Sequence, residues 1–345
     1  MPEASIPRRR LGWLAKRSRF LADIPITLQM GARTTTGRDA ESRGPEPGRL
    51  PRTRLVAPFL LLVLVLISPA CAELDLLLEG SGGGPGPPPS GSLSVSFIDV
   101  GQGDGVLVQA GAESYLIDAG RPEEGPNVVD FLRSRGVDSL DGIVVSNPDA
   151  DHIGGFLDVF DAFEVRVVYA SGDPKGTLTY NTFLRAARDE ESHFEVVRAG
   201  HLMEWGGVRA DVVGPPPGEL FSETNDNLVA ILLTYGTARI LLAGDAEARE
   251  EQYMAGGPYT GPLTLLKVTH HGSNTSSTPL FLSRFPPKIA VIQVGADNPY
   301  GHPTPETLDR LQRAGARVFR NDEHGDVIVT IKDENVEVAV TKPAL

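Results

Sequence analysis

Cysteine is nearly absent: among 345 residues there is one, Cys71. That excludes an intramolecular disulfide framework and any multi-cysteine zinc site. Basic residues are scarce where most of the chain lies. Residues 1–92 carry 12 Lys and Arg against 8 Asp and Glu, and the rest carry 20 against 37, a balance of −17. A body this acidic is a poor electrostatic partner for nucleic acid or an anionic membrane. Two bound divalent cations would offset at most about four of those charges, so a polyanionic substrate would need a local basic patch that composition does not reveal. Long apolar runs are missing too. Leu55–Ile67 (LVAPFLLLVLVLI) is thirteen residues long, short of the roughly 20 that a membrane-spanning helix needs. What is present, 41% hydrophobic and 22% charged residues, is the composition of a globular chain with ample core.

The short apolar run is read as the centre of a signal peptide. Arg49, Arg52 and Arg54 precede it and Ser68-Pro69-Ala70-Cys71 follows, which is the charged-then-apolar order of an export signal. The end of it resembles a bacterial lipoprotein signal, in which a cysteine is lipidated and becomes the mature N-terminus. Ser68 and Pro69 depart from the usual residues there, so lipidation of Cys71 and plain signal cleavage both stand. The expected organisation is an N-terminal extension over 1–54 that is disordered or precedes the true start (nearer Met30 or Leu50), a signal over 55–71, a linker over 72–92 and a folded domain over 93–345. The linker contains GSGGGPGPPPSG, flexible to semi-extended. The implied location is extracytoplasmic, anchored to the membrane through lipid or signal; no protein partner can be inferred.

From Leu93 short apolar strands alternate with helices. The pattern predicts strands over Ser94–Val100, Gly105–Gln109, Ser114–Asp118 and Gly142–Ser146, with helices over Asn127–Ser134 and Ile153–Phe163. Further on come strands Ala210–Val213, Leu228–Tyr235, Ala238–Ala243, Leu263–Thr269, Lys288–Val294, one near Val318, and Val327–Ile331. Between them lie helices Ala246–Met254, Ser277–Phe285 and Pro305–Ala314. Two β-rich halves, each clothed by helices, make an α/β helix–sheet–sheet–helix sandwich.

Polar residues gather where these strands end. Strand Gly142–Ser146 runs into Asn147-Pro-Asp149-Ala-Asp151-His152-Ile-Gly154-Gly155, and polar groups packed there are costly unless they bind something. Carboxylate and imidazole at such close spacing are normal divalent-metal ligands, and the glycine pair lets the following helix approach closely. The competing reading is an Asp-rich N-cap with His152 on the surface. Asp245 ends another strand, His270 and His271 the next, and His302 follows Lys288–Val294. Ligands at the ends of successive strands are how α/β active sites are assembled.

In this order the motifs resemble those of the metallo-β-lactamase superfamily, in particular its ComEC-like competence branch. The carriers are Phe97-Ile-Asp-Val-Gly-Gln-Gly-Asp104, Leu116-Ile-Asp-Ala-Gly120, Asp149–Gly155, Asn225-Asp-Asn-Leu-Val229, Leu242-Ala-Gly-Asp245, His270-His-Gly-Ser273 and Gly301-His-Pro303. The resemblance implies the αββα four-layer sandwich and one or two divalent ions, zinc or manganese. Asp151 and His152 would hold one ion, Asp245 would bridge or reach both, His271 or His270 would complete the set, and His302 would lie close by. Asn147 and Asp149 stand where the superfamily usually has histidines; Asp149 is expected of this branch, whereas Asn147 is a weaker ligand. Carboxylate-rich ligation shifts the expected ion away from zinc.

The implied chemistry is hydrolysis by a metal-activated water, with Asp149 or Asp151 orienting the water and taking its proton. Ser273 would donate to a substrate oxygen and Asp104 would steady a histidine. Asp118 is read as structural, and His193, His201 and His324 as surface or turn residues. Cleavage of phosphodiesters in DNA or nucleotides is the first expectation. An ester, thioester or β-lactam substrate, or a non-catalytic exported binding domain, remains open beside it.

Overall fold

The computed structural model describes residues 77–78, 86–218, 221 and 226–342, all within the unit Pro69–Leu345. The expected extension, the signal, Cys71 and most of the linker lie outside the described residues. Among the described residues no helix is long and apolar enough to cross a membrane.

The strands, in chain order, are β1 (Leu77–Leu78), β2 (Leu93–Phe97), β3 (Val106–Ala110), β4 (Glu113–Ile117), β5 (Gly142–Val145), β6 (Val167–Ala170), β7 (His193–Val196) and β8 (Leu202–Trp205). They continue as β9 (Val208–Gly214), β10 (Ala230–Tyr235), β11 (Ala238–Leu242), β12 (Leu263–Lys267), β13 (Pro287–Ile292), β14 (Arg317–Arg320), β15 (Val327–Lys332) and β16 (Asn335–Val340). One sheet runs β1-β16-β15-β2-β3-β4-β5-β6-β7 and the other β14-β13-β12-β11-β10-β9-β8. The last two strands therefore leave the second half and close onto the first, β15 pairing antiparallel with β2.

Side-chain alternation along each strand builds the layers. Val95 and Phe97 of β2, with Val106 and Val108 of β3, meet Val212, Ile231, Ile240 and Leu265 of the other sheet in a central core. Leu107, Leu116 and Ile143 point the other way, onto Val128, Leu132, Phe156 and Val159 of the helices Gly125–Ser134 and Phe156–Ala162. Across the second sheet, Leu241, Leu266 and Ile292 pack on Met254, Phe281, Phe285 and Leu311 of the opposite helices. This is the αββα sandwich read from the sequence.

Several boundaries differ from expectation. The helix predicted over Ile153–Phe163 is two pieces, Ala150–Ile153 and Phe156–Ala162, with Gly154 and Gly155 between them. The strand predicted to run to Val100 ends at Phe97, and the one predicted to run to Thr269 ends at Lys267. β6, the helix Leu178–Asp189, β7, β8 and β16 were not anticipated. The strands β6, β7 and β8 are four residues long, and in Leu178–Asp189 only Tyr180, Phe183 and Ala187 are buried.

Candidate metal centre

The loop 147–155 is fastened by the two earlier glycine-rich motifs. Asp104 N donates to the Asp151 carbonyl at 3.1 Å and Ala119 N to the His152 carbonyl at 2.7 Å. Gly155 N donates to the Gly120 carbonyl at 3.1 Å, and a Cβ on Gly155 would lie 2.1 Å from the Ala119 carbonyl oxygen. No other residue type fits so close an approach. His152 is thereby driven inward, wholly buried, although its helix is one turn long.

Opposite, β11 ends in Ala243-Gly244-Asp245 and β12 in Lys267. The next residues turn sharply: His270 and His271 are both left-handed, with φ of 47° and 52°, a conformation that costs a side chain-bearing residue energy and persists where surrounding structure enforces it. Hydrogen bonds from His270 N to the Gly244 carbonyl and from Ser273 N to the His270 carbonyl hold the turn. It sends His271 inward and His270 outward.

Four predicted residues converge. His152 Nε2 lies 3.0 Å from Asp245 Oδ2, and His271 Nε2 lies 3.3 Å from the same oxygen and 3.9 Å from Asp151 Oδ2. Each imidazole is held from behind: His152 Nδ1 by Asp118 Oδ2 at 2.8 Å, His271 Nδ1 by the Gln293 carbonyl at 2.8 Å. With Nδ1–H donated away, Nε2 is the atom that would present its lone pair to an ion once its proton leaves. His271 Nε2 is buried without a hydrogen-bond partner. A tetrahedral ion with bonds of about 2.0–2.1 Å has neighbouring donors about 3.3 Å apart, so the donor spacing and the donor types suit a divalent metal. Overlapping groups of possible ligand atoms, drawn from Asp104, Asp118, Asp151, His152, Asp245 and His271, all lie within this cluster.

Two residues complete the centre that the sequence reading did not assign to it. Asp118, expected to be structural, is the acceptor that orients His152; it also takes Ser146 N at 2.9 Å and Ser146 Oγ. Lys267 is buried, donating to the Gly244 carbonyl at 2.9 Å and to Asp104, with Asp245 Oδ1 at 3.5 Å. A lysine closing an otherwise apolar strand was the available signal, since a buried charge requires partners. Asp104 also reaches His271 Nδ1 at 3.5 Å, as expected of a residue steadying a histidine.

The electrostatics follow from burial. For His152, burial disfavours the cation, but Asp245 and Asp118 outweigh it and hold the pKa well above the usual histidine range. His271 is raised by the same contest, chiefly through Asp245. Burial would raise Asp245, yet His271, His152 and Lys267 pull it well below the carboxylate range. Lys267 is raised against burial by Asp104 and Asp245. Burial raises Asp118, opposed by His152.

The other predicted residues sit apart from this convergence. His270 Nδ1 is 3.1 Å from Glu247 Oε1, and the His302 ring lies against His270 at 5.9 Å between centroids; burial, then His270, lowers the pKa of His302. Asn147 is buried and its Oδ1 accepts the Asp149 N–H at 3.2 Å. Asp149 is ion-paired with Lys175, whose pKa burial draws down while the carboxylate beside it favours the charged form. Ser273 Oγ is bonded to Thr275 Oγ1 at 2.9 Å. His193 is on the exposed strand β7, His201 faces Glu195 at 3.4 Å, and His324 Nδ1 is bonded at the Arg320 backbone.

The family profile described as the metallo-beta-lactamase superfamily matches residues 98–295. ComE operon protein 3 of Bacillus subtilis (strain 168) is 31% identical over 268 residues, covering 71% of this chain and 34% of that protein. Competence protein ComA of Neisseria gonorrhoeae is 32% identical over 230 residues, covering 66% and 30%. The chain thus spans about a third of the length of these curated relatives. Among solved structures, the metallo-beta-lactamase fold protein YhfI from Bacillus subtilis aligns with a TM-score of 0.45 at 12% identity, covering 66% of this chain and 96% of that one.

Proposed function

The chain belongs to the metallo-β-lactamase superfamily, and from that premise we propose that it is a metal-dependent hydrolase cleaving phosphodiester bonds in DNA or nucleotides. The observation that carries the metal is His271 Nε2, buried, without a hydrogen-bond partner and 3.3 Å from Asp245 Oδ2. The substrate class is supported by the competence proteins among the relatives.

His152, His271, Asp245 and Asp151 would hold the ion, their donors being its ordinary ligands. Bound there with an open position, it would supply a hydroxide near neutral pH and a polarising charge on the phosphoryl oxygen. Asp118 and the Gln293 carbonyl keep both histidines in the tautomer that leaves Nε2 free for ligation. Lys267 lies beside Asp104 and Asp245 and helps Asp245 stay ionised while buried. Asp151 is the partly exposed carboxylate of the cluster, and on this reading it would take the attacking water's proton, since Asp149 is occupied by Lys175. Manganese or zinc is the ion this donor set favours. We also read the chain as exported and membrane-held through the signal ending at Cys71; mass analysis of the mature N-terminus tests that reading.

The deciding experiment pairs metal analysis of the purified chain with turnover of bis(p-nitrophenyl) phosphate, an ester and a cephalosporin. Bound metal with preference for the phosphodiester is expected. Asp245→Ala and His152→Ala should each lower the rate at least about a hundredfold, some 2.7 kcal/mol of transition-state stabilisation. Metal with preference for another substrate would replace the phosphodiester reading, and unchanged rates in both variants would remove the metal mechanism.

A further inference from the structure

The loop that supplies Asp151 and His152 begins with Asn147 and Asp149, where ligands of a second ion are expected. The structure gives those residues other work. Asp149 joins none of the carboxylate and imidazole groups formed among the described residues. Asn147 Oδ1 accepts the Asp149 N–H, and the Asp149 carboxylate is ion-paired with Lys175 Nζ, both side chains partly covered. Lys175 sits in the connection from β6 to the helix Leu178–Asp189. That connection is anchored: Asp173 N donates to Ser171 Oγ at 3.3 Å, and Asn227 Nδ2 donates to Asp173 Oδ2 at 3.1 Å from the segment before β10. These bonds hold the backbone two residues before the lysine.

We infer that the Lys175 ammonium stands in for the second metal ion, so that the chain takes one divalent cation, on Asp151, His152, Asp245 and His271. This rests on the metal-dependent reading above. One carboxylate already neutralised by an ammonium, beside one carboxamide, is a poor site for a dication, which prefers several anionic oxygens. A fixed cation there also offsets the carboxylates of the neighbouring cluster without requiring a second ion.

Manganese(II) titrated into the full chain tests this, with stoichiometry from calorimetry and spin coupling from electron paramagnetic resonance. The natural chain should take one ion with an uncoupled signal. Lys175→Glu, which lays a second carboxylate beside Asp149, should take two ions that couple. Lys175→Ala, which only releases Asp149, should gain a weaker second equivalent; it carries the test if the Glu variant fails to fold by circular dichroism. Two coupled ions in the natural chain would overturn the inference and leave the hydrolase reading intact. No ion at all would overturn both. One ion in all three proteins would remove Lys175 as the excluding group.

Discussion

At the scale of single residues, the centre is a contest between burial and charge that the two histidines and Lys267 decide. Four carboxylates (Asp104, Asp118, Asp151 and Asp245) face Lys267 and two imidazoles whose pKa values are raised. A divalent ion would bring the same two positive charges that protonated His152 and His271 carry. Metal binding should therefore release protons, since imidazole ligates only when neutral; calorimetry in buffers of differing ionisation enthalpy counts them, and a value near zero would contradict this charge balance. Asp118→Asn should weaken metal affinity about 10–100-fold, the usual effect of disturbing a carboxylate behind a ligating histidine, measured by competition with a chromophoric chelator. The sequence made Asp151, His152, Asp245 and His271 visible because each ends a strand beside glycine or another ligand. It did not distinguish His270 from His271, because that choice depends on two left-handed backbone residues that no spacing reveals. The partnership of Asp118 with His152 was not legible because the carboxylate lies 34 positions from the ring it orients.

At the scale of elements, the glycine pair does what the motif implied, but its effect on the helix was not foreseen. Gly154 and Gly155 divide the helix because the chain must pass within contact of Pro122 and Ala119. Gly155→Ala should destabilise the fold by about 1–3 kcal/mol, the range for overpacking, read from urea unfolding; an unchanged midpoint would mean the loop can move aside. The helix Ala248–Gly256 carries another test. Burial, reinforced by Asp226 and Glu251, pushes the Glu250 carboxyl well above the usual range, against the Leu228 N–H it accepts at 3.1 Å. A carboxyl raised on folding contributes its stability in full below the unfolded value of about 4.3, and that contribution is lost as pH rises through the folded value. Glu250→Gln should thus gain melting temperature relative to the natural chain as pH goes from 4 to 8, and a difference independent of pH would refute the assignment. Short apolar runs bounded by turn residues made β2 to β4 and β10 to β13 legible. The stretch from β6 to β8 was not, because its strands are four residues long and its helix buries few apolar side chains.

At the scale of the whole molecule, the centre ties the two halves together: Asp151 and His152 follow β5 of one sheet, Asp245 and His271 follow β11 and β12 of the other. Removing the ion should therefore lower global stability. Ligand at a hundred times its dissociation constant adds about 2.7 kcal/mol. The chelated protein should also show a distinctive pH profile. Histidines with raised folded pKa values stabilise fully below about 6.5, and that contribution is lost as pH rises through the folded values. Its melting temperature should fall from pH 6 to 9 more steeply than that of the loaded protein. Parallel slopes would show that the two histidines are not coupled to the ion.

The return of β15 to the side of β2 sets a timetable for the newborn chain. Phe97 faces Val327 across that pair, yet more than two hundred residues must be made between them. At a synthesis rate of about 5–20 residues per second, β2 waits roughly ten to fifty seconds for its neighbour. Until then an apolar edge lies open, although Asp245 and His271, the last ligands in chain order, have already been made. The whole ligand set is thus on the chain before the sheet that carries Asp151 and His152 gains its closing strands.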